Sequence, residues 1–375
     1  MLYLDANATE PLRPEARTAM LAAADTLGNP SSVHAAGRAA RRLLEDAREN
    51  LATRYGARPA DLVFTSGGTE ANVLAVQALG AGRRIVIGAT EHDAVRSAAP
   101  GATILPVDRD GVADLRELAT LLANGPPTLV CLMWANNETG VIQPIAEATA
   151  ICRHHGALLH VDAVQAAGRI LVALGSIHSM AISSHKLGGP TGAGALLLAP
   201  DVPDITPLFT GGGQERGRRG GTHALPAIAG FAAAARISSD RGEDAQVWPG
   251  HDAERIRGIR DAIESAAIAC GAEVCGGGAP RLPNTTCLAL PGIRADAQVM
   301  SLDLDGICVS AGAACSSGKV AASHVLAAMG LGALAGQAIR ISLPYNVTPD
   351  AVPVFATSYA RMADRLRAAL APRAA

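Results

Sequence analysis

From about Pro14 to Val202, short aliphatic runs alternate with longer stretches whose apolar residues recur at helical spacing. The runs Leu62-Val63-Phe64, Arg84-Ile85-Val86-Ile87, Leu129-Val130-Cys131-Leu132-Met133 and Leu158-Leu159-His160-Val161 predict strands. Strands alternating with helices imply crossover connections and a mostly parallel sheet. Ligands in such sheets bind beyond the carboxyl ends of the strands, so the residues just after each run carry the most information. The glycine-rich stretch Gly211 to Gly221 interrupts the pattern, and a helical run follows from Ala224 to Ile237. Beyond Asp252 a long helical pattern leads to strand candidates around Thr285 to Leu290 and Ile339 to Leu343, and a last helix begins near Pro349. The expected class is therefore α/β, with a large domain over residues 14–250 and a smaller α+β domain formed by 1–13 and 251–375.

A chain of 375 residues exceeds one ordinary hydrophobic core, which agrees with two domains, and neither half repeats the other. Hydrophobic residues reach 49% with only 3% aromatic, so the core is largely aliphatic. The net charge of −2, with both signs interspersed, lacks the basic stripe of a nucleic-acid binder and favours a small-molecule substrate. No basic and apolar leader opens the chain, and no run approaches the ~18 apolar residues of a membrane span. No membrane association and a cytoplasmic location are expected. Seven cysteines without a C-x-x-C pair suggest neither a disulfide framework nor a metal site.

Three segments at strand ends suggest chemistry. In Thr65-Ser66-Gly67-Gly68-Thr69-Glu70 a strand passes into a helical run, so the amides of Gly68 and Thr69 could cradle a phosphate; an ordinary helix start capped by Thr69 fits equally well. In His160-Val161-Asp162-Ala163-Val164-Gln165 a strand ends in a carboxylate. Such a group could hold a pyridinium nitrogen protonated, with Gln165 on the ring oxygen, although an N-cap aspartate is the commoner explanation. In Ile182-Ser183-Ser184-His185-Lys186-Leu187-Gly188-Gly189-Pro190 a lysine closes an apolar run inside a tight turn, where desolvation can make it a Schiff-base nucleophile.

Phosphate cradle, aspartate and lysine in this order resemble the NifS/IscS-type cysteine desulfurases of the class-V aminotransferases, pyridoxal 5′-phosphate enzymes of fold type I. The likeness runs from Tyr3 to about Leu343. It extends to Leu4-Asp5-Ala6-Asn7-Ala8-Thr9, Gly28-Asn29-Pro30-Ser31-Ser32-Val33-His34, Thr90-Glu91-His92, Asn136-Asn137-Glu138-Thr139-Gly140 and Ser310-Ala311-Gly312-Ala313-Ala314-Cys315-Ser316-Ser317-Gly318.

The resemblance implies that Lys186 carries the cofactor, that His92 stacks on its ring and moves protons, and that Asn137 touches ring oxygen or substrate. It also implies that Ser183 and His185 join Gly68 and Thr69 on the phosphate, while Thr222 reaches the phosphate of a second copy in a homodimer. Arg340, with Asn7 nearby, would bind the substrate carboxylate. Cys315 would attack the sulfur of L-cysteine, leaving alanine and a persulfide for an acceptor protein such as an iron–sulfur scaffold. Without the resemblance, His92 would read as a helix cap; the plain alternative for Arg340 is a surface ion pair, and for Cys315 a buried structural thiol, which Ala-Ala-Cys-Ser-Ser-Gly suits poorly. Selenocysteine lyase, another class-V activity and a non-catalytic sulfur-assembly subunit are the alternatives. Two departures stand out: Glu10 where threonine is common, and Pro344-Tyr345-Asn346 in place of a Gly-Arg pair.

Overall fold

The computed structural model describes residues 1–202, 204–237, 250–312 and 322–370. A seven-stranded sheet is ordered Leu62–Thr65, Gly194–Leu198, Ser179–Ser183, Leu158–Asp162, Thr128–Met133, Arg84–Gly88 and Thr103–Leu105. The last five of these run parallel, whereas Gly194–Leu198 is antiparallel to both its neighbours. All four predicted runs are strands within one residue of their expected ends. Thr103–Leu105, Ser179–Ser183 and Gly194–Leu198 were not delimited by the sequence pattern.

Helices cover both faces of this sheet. On one side Pro14–Ala24 and Ala35–Arg54 pack against Leu225–Ile237. The second of these helices turns Ala40, Leu44, Ala47 and Leu51 inward, a spacing of three and four that places them on one stripe. The other face is covered by Gly68–Gly80, whose Ala71, Leu74, Ala75 and Leu79 pack with Val63, Leu129, Ala181 and Leu196 of the strands.

A second sheet, ordered Ser310–Ala311, Ala338–Ser342, Thr285–Ala289 and Glu273–Val274, is wholly antiparallel. Helices Gly250–Ala269, Ala295–Leu304 and Ala351–Leu370 enclose its core with Phe355, Tyr359, Ile339 and Ile341. The amino terminus belongs to this layer: Leu2–Tyr3 pairs in parallel with Ile307–Cys308, and Asp5 bridges to Ser342. The chain then crosses to the large sheet, where Glu10 N–H donates to His185 O at 2.9 Å and Arg13 N–H donates to Gly188 O at 2.9 Å. Residues 5–10 thus run between the two sheets, past the ends of the parallel strands.

Candidate active site

A cavity of about 330 Å³ opens at the carboxyl ends of the parallel strands. Its walls include Asn7, Gly68, Thr69, His92, Asn137, Asp162, Gln165, Ser183, His185, Lys186 and Arg340. Every site residue named from the sequence converges there except two. Thr222 is exposed in a separate depression beside Ser66, Arg219 and His223. Cys315 lies outside the described residues.

The strand Leu158–Asp162 delivers Asp162 level with Met133 and Ala181 of its neighbours. Asp162 Oδ1 accepts from Val164 N–H at 2.9 Å, the local bond of a capping aspartate. Its Oδ2 accepts from Asn72 Nδ2 at 2.7 Å. With its nitrogen committed to Asp162, the Asn72 amide turns Oδ1 toward His160 Nε2 at 2.9 Å, so His160 donates from Nε2. His160 Nδ1 then accepts the Ser179 hydroxyl at 2.9 Å. Burial holds the His160 imidazole down at about 3, so this ring stays neutral at physiological pH. Burial also raises Asp162, against the pull of the Val164 amide, His92, Asn72 and Lys186. Asn72 and His160 were missed as site residues; the available signal was an amide beside the strand end in the mostly apolar helical run Ala71 to Leu79.

Lys186 follows the strand Ser179–Ser183 in a 3₁₀ turn. Its Nζ donates to Asn7 O at 2.6 Å and Ala8 O at 2.9 Å, contacts that aim the amine across the cavity mouth. His185 is held down at about 4 by burial and by the cations Lys186 and Arg169, leaving a neutral ring that meets Thr9 Oγ1 at 3.2 Å.

His92 both caps and lines. Its Nδ1 accepts from Ala94 N–H at 3.1 Å to start Asp93–Arg96, while the ring borders the cavity. Arg340 is no surface residue: it is 3% exposed, and its Nη2 donates to Asp5 Oδ1 at 2.6 Å. Asn136 is structural, its Oδ1 accepting from Glu138 N–H and Thr139 N–H at 2.9 Å each, and this turn brings Asn137 to the cavity.

The donor set fits a phosphorylated pyridoxal. Ser183 Oγ is buried without a protein partner, as a hydroxyl reserved for an anion would be. At Gly68 an added Cβ would lie 2.6 Å from Val164 Cγ2, so the helix start presses against the strand end with no room for a side chain. The helix caps on Gly67, not on Thr69, leaving its first amides available to a phosphate. Ser183, Gly68, Thr69, His185 and Asp162 line the same cavity, a set that suits an anion and a ring nitrogen on one ligand.

Among the described cysteines, Cys131 and Cys152 are poor nucleophiles. Cys131, Cys152, Cys275 and Cys287 are buried, and burial pushes the Cys152 thiol up to about 12 and Cys131 well above its ordinary range.

The aminotransferase class-V family model matches residues 2–355. An IscS-like cysteine desulfurase of Mycobacterium tuberculosis is 39% identical, covering 99% of this chain and 98% of its own. A cysteine desulfurase of Cereibacter sphaeroides is 40% identical, with 98% and 97% covered. A NifS-like protein from Rickettsia africae superposes with a TM-score of 0.89 at 34% identity, over 97% of this chain and 99% of its own. Geometry and relatedness agree, and the chain belongs to the class-V aminotransferase family, among its pyridoxal 5′-phosphate-dependent cysteine desulfurases.

Proposed function

We propose that the protein takes sulfur from L-cysteine, releases L-alanine, and holds the sulfur as a persulfide on Cys315 for an acceptor protein such as an iron–sulfur scaffold. The convergence of Lys186, Asp162, His92 and Arg340 on one cavity carries this reading. Gly68, Thr69, Ser183 and His185 would hold the cofactor phosphate, Asp162 the ring nitrogen, and Gln165 and Asn137 the ring oxygen. Pyridoxal phosphate supplies, when bound, an electron sink that acidifies Cα of cysteine and loosens its C–S bond.

Arg340 would bind the substrate carboxylate, with Asn7 beside it, and so turn Cα toward Lys186. The Lys186 amine would take the Cα proton, and His92 would move protons at the thiol. Cys315 Sγ, as a thiolate, bonds to the substrate sulfur while the C–S bond breaks. The bonding electrons stay with carbon, and a proton completes the methyl group of alanine.

Thr222, exposed and apart from its own cavity, would serve the phosphate of a second copy, which makes the working unit a homodimer. Residues 14–250 would form the large domain, and 1–13 with 251–375 the small one that bears Cys315. No helix among the described residues is long and apolar enough to cross a membrane, and the cytoplasm is the proposed location. Intact Lys186, Asp162, His92 and Cys315 favour an enzyme over a docking subunit.

The test is release of sulfide and alanine from L-cysteine by the holoenzyme and by Cys315→Ser. The variant should keep its visible cofactor absorbance and lose sulfide release. Equal turnover would remove Cys315 from the reaction, and borohydride reduction that fails to label Lys186 would end the proposal.

A further inference from the structure

Behind the cavity lies a buried ion pair that the reaction does not directly use. Arg169 is 1% exposed and Glu10 3% exposed, and Arg169 Nη2 meets Glu10 Oε2 at 3.3 Å. Burying two charges is seldom a gain in stability, so their retention calls for another account. The remaining donors of Arg169 supply one. Nη1 donates to the Gln165 backbone carbonyl at 3.1 Å and to Gln165 Oε1 at short range, and Nη2 also donates to Ala6 O at 3.2 Å.

A guanidinium has donors only, so the Gln165 atom that faces it must be the amide oxygen. The amide nitrogen is thereby turned the other way, and Nε2 donates to Asn7 O at 3.1 Å. That same carbonyl accepts from Lys186 Nζ at 2.6 Å. Glu10 in turn is held by Tyr345 N–H, which donates to Oε1 at 2.7 Å, while the Arg13 guanidinium lies 4.2 Å over the Tyr345 ring. Glu10 and the segment Pro344-Tyr345-Asn346, far apart in the sequence, are thus in direct contact.

We infer that Arg169, oriented by Glu10, is a positioning residue that fixes the Gln165 amide with its N–H side toward the cofactor and sets the Asn7 carbonyl against the amine of Lys186. This rests on the reading that Lys186 carries the cofactor. Besides this pair, the charged and titratable groups among the described residues that line the cavity with Lys186 are Asp162, His185, His92 and Arg340. All of these stay in place in the variants below.

The readouts are the pH midpoint of the holoenzyme's visible absorbance and the affinity of apoprotein for pyridoxal phosphate. An N–H donated to the ring oxygen favours the deprotonated form of the nitrogen conjugated to it, and a nearby cation does the same. Arg169→Met removes both influences and should raise the midpoint by on the order of one pH unit. Glu10→Gln keeps the Arg169 donors on Gln165 but leaves the cation uncompensated, and should lower the midpoint. The double variant Glu10→Gln/Arg169→Met strands no buried charge, so it guards against misfolding of either single variant. It should melt as a folded protein and keep the raised midpoint, since Gln165 remains unclamped.

A merely structural pair would lower thermal stability without opposite shifts. Wild-type midpoint and affinity in the folded double variant would overturn the inference. Wild-type protein with no pH-dependent visible absorbance would instead overturn the reading of Lys186.

Discussion

Asp5 Oδ1 and Arg340 Nη2 are 2.6 Å apart, so the guanidinium proposed for the substrate carboxylate already carries a carboxylate of the protein. Arg340 Nη1 donates to Asn137 O at 3.2 Å, and Nε is buried without a protein partner. Asp5 therefore fixes the plane of the fork while leaving the Nε donor, among others, unspent. Arg340→Lys keeps the charge but loses that plane. We expect kcat/KM for L-cysteine to fall roughly 10- to 100-fold, the worth of a charge-assisted hydrogen bond of about 1.5–3 kcal/mol. Steady-state kinetics should place most of the loss in KM.

Asn72→Leu tests the hydrogen-bonded chain beneath Asp162. The Asn72 amide helps to lower an aspartate that burial raises, so its removal drives Asp162 further upward. The acid limb of the kcat/KM profile should move to higher pH, and the affinity for pyridoxal phosphate should fall. An unmoved acid limb would mean that Asp162 does not govern it.

Glu215 makes a prediction for stability. Burial alone would raise this carboxyl, but bonds from Arg48, His223 and the Phe64 amide outweigh burial and hold it at about 2. A depressed carboxylate stabilises the fold above its unfolded value near 4.5 and loses that contribution as pH falls toward its folded value. The depression corresponds to about 3 kcal/mol as an order of magnitude. The Tm of Glu215→Gln should lie well below wild type at pH 7. The gap should close between pH about 4.5 and about 2, as the wild-type carboxylate is protonated. A gap that stays constant across this window would show that the carboxylate is not what Arg48 stabilises.

Gly68→Ala places a methyl group 2.6 Å from Val164 Cγ2 and 3.4 Å from Ser183 Cβ. Alanine suits a helix better than glycine, but this offsets only part of the clash with Val164, so the apoprotein should lose about 1–3 kcal/mol of stability. Displacing the first helical turn by even a few tenths of an ångström spoils its amides as phosphate ligands. We expect about 10-fold weaker pyridoxal phosphate binding, a loss of about 1.4 kcal/mol in a titration followed by absorbance. Unchanged affinity would take the phosphate away from this helix.

Much of this architecture was legible because the aliphatic runs are dense and bounded by polar turns. Residues 129–133 and 158–161 needed no tertiary context to read as strands. Thr103–Leu105 has three residues and an exposed Ile104, too little pattern for a prediction. The antiparallel course of Gly194–Leu198 depends on which neighbours it meets, information absent from its own residues.

The same division holds for the site. Asp162 and Lys186 announce themselves at strand ends, where chemistry-bearing residues gather. Asn72, His160, Arg169 and Asp5 act through partners that are distant in sequence, as with Arg340 and Asp5, separated by 335 positions. His92 was open between a helix cap and a cavity residue, and the structure makes it both.

The course of the amino terminus bears on biosynthesis. Leu2–Tyr3 finds its strand partner only at Ile307–Cys308, and Ala6 N–H only at Ser342 O. A ribosome exposes the opening residues long before it has made either partner. The carbonyls of Asn7 and Ala8 that hold Lys186 are therefore seated only after the chain through Ser342 has been made. Until then the parallel sheet can form without a finished cradle for its lysine, and we expect cofactor capture by the complete site only after that point.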